Sequence, residues 1–180
     1  KPISESGKQM INYVCKYAPV ELFKGFGQEC AVLEEMPENF DKSDKIAHAN
    51  LCGFGKSVIQ AVLEGKVEEL VLVNCCDSMR RVYDIIENTG KCRFLYMLDL
   101  PHEDNECENI KFAQSILRLK KAYERYSQRK FDRELFIKSF TQPQQERKPY
   151  IGLLGVHVSS ILEKTIRENM QMDVENMTCT

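Results

Sequence analysis

The chain has 180 residues, 43% of them hydrophobic and 29% charged, with a formal net charge of -2. That balance suits a soluble globular protein of one good domain, or one domain and the start of another. It supplies no global field to recruit nucleic acid or an anionic membrane surface, and no apolar run approaches the roughly 20 residues that span a bilayer.

The opening, "KPISESGKQMINY", is polar and helix-like rather than a signal peptide, and it does not start with methionine. Ser4 or Ser6 is placed to cap a first helix running to about Tyr17, with Met10, Ile11, Val14 and Cys15 on one apolar stripe and Pro19 ending it. "ECAVLE" (29–34) reads as a first strand, and the polar loop "MPENFDKSDK" leads to a helix from about His48 to Glu64, closed by Gly65. "EELVLVN" (68–74) is the strongest strand signal, because continuous aliphatics without alternation suit a sheet covered on both faces. A helix over 77–89 follows, capped by Asp77 or Ser78 and stopped by Gly90, and then a strand, "CRFLYMLDLP" (92–101).

A long helix is predicted from Glu106 to about Arg129, with Ile110, Ala113, Ile116, Leu117, Leu119 and Ala122 on its apolar face. Its basic stretch "RLKKAYERYSQRK" (118–130) has the spacing of a solvated helix face rather than a nucleic-acid patch. A shorter helix, Phe131 to Phe140, has Asp132 as its cap. The polar, proline-bearing "TQPQQERKP" (141–149) reads as a linker. It divides a first lobe (1–140) from the beginning of a second α/β lobe (150–180), read as "YIGLLG", a helix over 156–169 and "DVENMTCT". The second piece alone buries too little area to be stable by itself. Strand and helix alternate throughout, so the expected fold is α/β, a Rossmann-like lobe with a parallel sheet and crossover helices, followed by the start of a similar lobe. Glycine-rich phosphate signatures are absent, since "GFG" (53–55) and "GLLG" (152–155) do not match G-x-G-x-x-G.

Eight cysteines are many for this length: Cys15, Cys30, Cys52, Cys75, Cys76, Cys92, Cys107 and Cys179. With no secretion signal, a reducing cytoplasm is the expected compartment, where clustered thiols serve metal or redox chemistry more often than disulfides. No C-x-x-C pair exists, which excludes zinc ribbons, thioredoxin motifs and ferredoxin-type runs; a metal site has to be assembled from distant parts of the fold. Parallel α/β sheets carry their functional groups at the carboxyl ends of strands. Cys75 and Cys76 fall at such an edge, Cys179 falls after its own strand, and Cys52 stands near a helix start in "ANLCGFGKS". Helix N-termini supply free N–H groups and partial positive charge, which favour thiolates and anionic clusters. Cys15, Cys30, Cys92 and Cys107 read as packing or surface residues. On residues alone, Cys52 with Cys75 and Cys76 is equally open to packing and to a metal cluster.

"NLCGFGKS", "ELVLVNCCDSMRRVYDII" and "FLYMLDLPH" together resemble the 2-hydroxyacyl-CoA dehydratase superfamily, which also holds benzoyl-CoA reductases and double-cubane cluster proteins. The elements that carry the resemblance are Cys52 to Ser57, the strand end Cys76–Asp77–Ser78, and Leu98 to His102. The opening "YVCKYAPVELFKGFG" is similar to the family's Tyr-x-Pro-x-Glu start. The resemblance implies two Rossmann-like lobes around an iron–sulfur cluster, a four-iron cubane or an eight-iron double cubane, with Cys52 and Cys76 as ligands. The doubled cysteine departs from the common dehydratase pattern; Cys75, with Cys179, is what a double cubane would require beyond a single one. Further implied are electrons from an ATP-dependent activator ATPase, a homodimer or a heterodimer with a related subunit, and an acyl-CoA substrate. A double-cubane reductase is the favoured activity. The alternatives are a (R)-2-hydroxyacyl-CoA dehydratase subunit that eliminates water through a ketyl radical, a non-catalytic thiol-rich α/β binding domain, and a zinc-binding regulator. Arg80, Arg81, Lys56, Ser57 and His102 are near enough in sequence to meet a cluster or a CoA phosphate, and equally suited to solvated surface; His48 and His157 have no case beyond standing near helix starts.

Overall fold

The computed structural model describes residues 10–34, 37–140, 149–155, 158–170 and 172–178. Four parallel strands, β1 (Ile11–Tyr13), β2 (Cys30–Val32), β3 (Glu69–Val73) and β4 (Phe94–Leu98), form one sheet in the order β2-β1-β3-β4. All five residues of β3 are buried, as its unbroken aliphatic run requires of a central strand covered on both sides. Glu69, the polar residue of that run, accepts the Tyr126 hydroxyl at 2.7 Å. β3 and β4 pair in full register, from Glu69 opposite Phe94 to Val73 opposite Leu98.

Helices join the strands. α1 (Val20–Lys24) links β1 to β2, α2 (Gly53–Leu63) links β2 to β3, α3 (Asp77–Thr89) links β3 to β4, and α4 (Glu106–Ser127) and α5 (Arg133–Lys138) follow. Tyr123 of α4 meets Phe23 and Phe26 edge-on at 5.1 and 5.2 Å between ring centroids, so α4 shares a face with α1. Gly55 of α2 lies against Val82 of α3, where a Cβ would stand 3.1 Å from the valine methyl. Right-handed crossovers place this second pair of helices on the opposite face. The predicted α/β architecture is therefore the observed one.

Four expectations need correction. Residues 11–13 form a strand, not part of a helix; 1–9, with Ser4 and Ser6, lie outside the described residues. Met10, Ile11, Val14 and Cys15 do have helical spacing, but Ile11 pairs with Cys30 and Asn12 with Leu70, and these non-local bonds outweigh the local pattern. Pro19 instead precedes α1 as its cap residue. The helix predicted from His48 begins at Gly53, because His48 Nδ1 accepts the Asn50 N–H and ties a turn there. On α4, Ser115, Leu119 and Tyr123 are buried while Ile110 and Leu117 are more than half exposed. The aromatic cluster selects which stripe of that helix faces inward. α3 spans 77–89 as predicted and ends at Gly90, left-handed at φ 62°, but its N-cap is Cys76 rather than Asp77 or Ser78, because Cys76 holds the extended backbone of a cap while Asp77 is already helical; Asp132 caps α5 by accepting from the N–H groups of Glu134 and Leu135.

The basic stretch is only partly a solvated face. Lys120 sits 4.3 Å above the Phe131 ring, and Arg129 donates to Gln28 at 2.9 Å. Beyond the first sheet, β5 (Tyr150–Leu153) and β6 (Asp173–Asn176) pair in parallel, joined by α6 (Ser160–Asn169), whose first turn is capped by Ser159. Residues 141–148 of the predicted linker lie outside the described residues, as does His157. Among the described residues no helix is long and apolar enough to cross a membrane.

Gly25 marks where the post-α4 segment closes on α1. Its carbonyl accepts the Asp132 N–H at 2.7 Å, and a Cβ there would fall 2.4 Å from Phe131. Gly25→Ala is expected to displace that ring and cost about 1–3 kcal/mol, read as a lower midpoint in chemical denaturation with an unchanged slope.

Candidate functional site

β1 connects outward to β2, whereas the chain crosses back to place β3 on the other side of β1. The carboxyl ends of β1 and β3 therefore flank a topological switch point, the crevice where open parallel sheets bind ligands. Cys15 stands two residues beyond β1, and Cys75 two residues beyond β3. Cys75 interacts with both Cys15 and Cys76. Three thiols thus meet at one corner of the sheet.

Their environments differ. Cys15 is 1% exposed, while Cys75 and Cys76 face solvent. The hydrogen bond to Cys15, together with burial, holds the Cys75 thiol well above the usual thiol range. Burial also raises the Cys76 thiol, against the backbone N–H groups of Met79 and Ser78, which favour its thiolate. Cys76 is the N-cap residue of α3 in extended conformation, and its side chain makes no capping hydrogen bond. Strand alternation would have sent Cys75 and Cys76 to opposite faces, but β3 stops at Val73. Both residues lie past the pleat, and both turn outward.

Cys52 is the N-cap of α2, and its sulfur accepts the Gly55 N–H at 3.4 Å. A crossover helix runs antiparallel to its strands, which sets the N-terminus of α2 on the same sheet edge as that of α3. The two nearby glycines have distinct jobs. Gly55 permits the close approach of α3, whereas a Cβ on Gly53 would meet nothing within 4 Å, leaving open space beside Cys52. Cys179 lies outside the described residues. Among the described residues no three His, Cys, Asp or Glu side chains converge as a site for a single metal ion.

Beside the thiols, an open cleft of about 610 Å³ is lined by Asn74, Asp77, Arg80, Arg81, Tyr96 and Asp99, among others. Asn74 holds its floor: Nδ2 donates to Asp99 at 2.8 Å and Oδ1 accepts from the Leu100 N–H at 2.9 Å, which ties the end of β3 to the end of β4. Asn74→Ala removes both bonds while exposed Asp99 and the half-buried Leu100 N–H can turn to water, and it is expected to cost about 0.5–1.5 kcal/mol for each bond, measurable by urea titration. Arg80 and Arg81 reach Asp77 and Asp84 only at 3.7 Å and are largely exposed, as helix-surface arginines are. Burial raises the Tyr96 phenol, against the charge of Arg118, which lowers it.

Other singled-out residues have local partners. Lys56 pairs with Asp44 at 2.7 Å, and Ser57 donates to the Gly53 carbonyl at 3.0 Å. His102 is exposed beside Glu108. Burial pushes Cys30 up to about 12 and Cys92 up to about 11, which fits packing thiols, and Cys107 is exposed next to Lys111. Cys15 is the residue that sequence reasoning misplaced. Its signal was present in its position two residues after the strand end Tyr13, "YVC", mirrored by "VNC" at the end of β3.

A Rossmann-like α/β lobe with thiols assembled at its switch point is the class of protein that fold and site define. A model of the family described as 2-hydroxyglutaryl-CoA dehydratase, D-component, matches residues 15–154, and the chain belongs to that family, an enzyme family. No curated protein matches the chain.

Proposed function

We propose that the chain is an iron–sulfur protein of the 2-hydroxyacyl-CoA dehydratase superfamily, taking low-potential electrons from an ATP-dependent activator ATPase for a reductive or radical reaction. The observation that carries this reading is the meeting of Cys15, Cys75 and Cys76 at the switch point, with Cys52 capping the adjacent helix on the same edge. The donor set suits a cluster. Thiolates are the ligands of four-iron cubanes, and iron corners take sulfurs standing farther apart than the ligands of one ion. A neutral thiol corner of this kind gains its negative charge only when a cation displaces the protons.

Cys52 and Cys76 would hold the cluster, with Cys75 and Cys179 as additional ligands if it is a double cubane. Bound there, such a cluster supplies one-electron transfer at low potential. The chain's own part is to position the sulfurs, to set the N–H groups of Gly55, Ser78 and Met79 against the negative charge, and to back the site with the apolar sheet end. The activator ATPase and a related subunit in a homodimer or heterodimer are the proposed partners, in keeping with a family described as a component. An acyl-CoA is the proposed substrate, the cytoplasm the compartment, and 141–149 the linker to a second lobe begun at 150–180. The doubled cysteine favours a double-cubane reductase over a single-cubane dehydratase subunit.

The test is anaerobic isolation of the chain, or of the assembly that contains it, followed by reconstitution and assay of iron and acid-labile sulfide. Stoichiometric iron with sulfide and brown absorbance is the expected result. A colourless protein that takes up neither leaves the thiols as packing residues of a binding domain.

A further inference from the structure

α4 is 22 residues long, about 33 Å at 1.5 Å per residue. Ser115, Leu119 and Tyr123 turn inward, and Tyr123 packs against Phe23, Phe26 and Phe94. The opposite face carries Glu106, Ile110, Ala113, Leu117 and Lys121, all exposed, with Ile110 at 53% and Leu117 at 55%. Residues three or four apart are neighbours on a helix surface, so these five form one stripe along it. A single exposed leucine is ordinary on a protein surface. This stripe is a different pattern, with two large aliphatics flanking a small residue and opposite charges closing its ends. It makes an apolar seam of a second helix's width, and Ala113 lets two backbones approach closely at its centre.

We propose that this face pairs with the same face of a second copy of the chain, the two α4 helices running antiparallel about a two-fold axis between Ala113 and Gln114. Charge selects both the partner and the direction. Glu106 stands in the first turn of α4 and Lys121 near its other end. In the antiparallel pair Ile110 meets the partner's Leu117, Ala113 meets the partner's Gln114, and Glu106 meets the partner's Lys121. A two-fold interface makes each of these contacts twice. A parallel pair would set Glu106 against the partner's Glu106 and Lys121 against the partner's Lys121, and like charges facing across a helix seam repel. The helix dipoles favour the same direction, since an antiparallel pair lays each positive N-terminus beside a negative C-terminus. The stripe is thus complementary to itself in one orientation. Of the two assemblies in the reading above this rests on the homodimer, and it uses no cysteine, so its failure and that of the cluster are read separately.

The experiment is analytical ultracentrifugation of the full chain over a concentration series in reducing buffer, with circular dichroism on every sample. The chains compared are wild type, Leu117→Gln, Glu106→Lys, Lys121→Glu, and an equimolar mixture of the last two. The wild type is expected to dimerise, and each variant alone to raise the dissociation constant about tenfold. The mixture is expected to recover wild-type association, because each Glu106→Lys chain then faces a Lys121→Glu chain and every charged contact is again opposite in sign. These are exposed positions, where substitutions leave the fold in place. Leu117→Gln keeps a good helix former and changes no charge, so it carries the test even where a charge variant loses helical signal. A wild-type chain that stays monomeric at every concentration would show that something other than a second copy covers this face, and would overturn the proposal. A dimer that the variants leave unchanged would place the interface elsewhere and overturn it too. A mixture that associates no better than its two components would remove the antiparallel pairing. Iron and acid-labile sulfide measured on the same samples report the cluster independently of all these outcomes.

Discussion

Cys52→Ser and Cys76→Ser are each expected to strip or convert the cluster while leaving the fold in place. Both residues are N-caps with extended backbone and solvent-exposed side chains. Serine is itself a preferred N-cap, because its oxygen accepts the N–H groups left unpaired in the first helical turn. At position 52 it replaces a sulfur that already accepts from Gly55, so the helix start keeps its partner. Changes of this type on an exposed surface stay within about 0.5 kcal/mol. The hydroxyl remains a poor, hard ligand for iron, so cluster retention falls although stability does not. Iron and sulfide assays on anaerobically reconstituted variants, set beside thermal unfolding followed by circular dichroism, separate the two effects. Full iron content in both variants would remove these residues from the ligand set.

The parts of this fold that were legible in the sequence are those whose signals are local and redundant. In β3 and α3, an aliphatic run, a polar stop at Asn74, an amphipathic helix and Gly90 all point to one structure, and both elements stand where they were read. β1 had no such support. It is three residues long, and it is a strand only because β2 and β3 pair with it from either side. Reading it as a helix carried Cys15 onto a helix face and hid the contact with Cys75. The start of α2 shifted for a similar reason: a His48–Asn50 turn, invisible to periodicity, delays the helix until Gly53 and makes Cys52 the cap itself.

The cleft beside the thiols was hidden more deeply. Asn74, Tyr96 and Asp99 come from two strands and their exits, and they face one another only because Val73 lies opposite Leu98. Register of this kind is set by which side chains the helices cover, not by any pattern within one strand. By contrast, the shared edge of the proposed ligands was legible from position alone. A parallel sheet sends its loops to one edge, so cysteines after a strand and before a helix were bound to share that edge. What position could not supply was which of them touch.

Cys75→Ala is the change that separates the two cluster readings, and it is expected to lower iron below the wild-type stoichiometry and to alter the electron paramagnetic resonance signal. Cys75 occupies the bend between Val73 and the α3 cap, is exposed, and contacts thiols on both sides. A residue there for packing alone would be covered, as Cys15 is. Truncation to alanine removes a surface side chain and leaves Cys52 and Cys76 untouched, so a single cubane held by those two and by ligands from elsewhere would survive it. A double cubane would lose a ligand on one half. The expected outcome is therefore partial, with iron and sulfide reduced together and a changed spectrum in a chain that still unfolds cooperatively. If Cys75→Ala keeps all its iron and an unchanged spectrum, the double-cubane reading fails and the single-cluster dehydratase subunit takes its place.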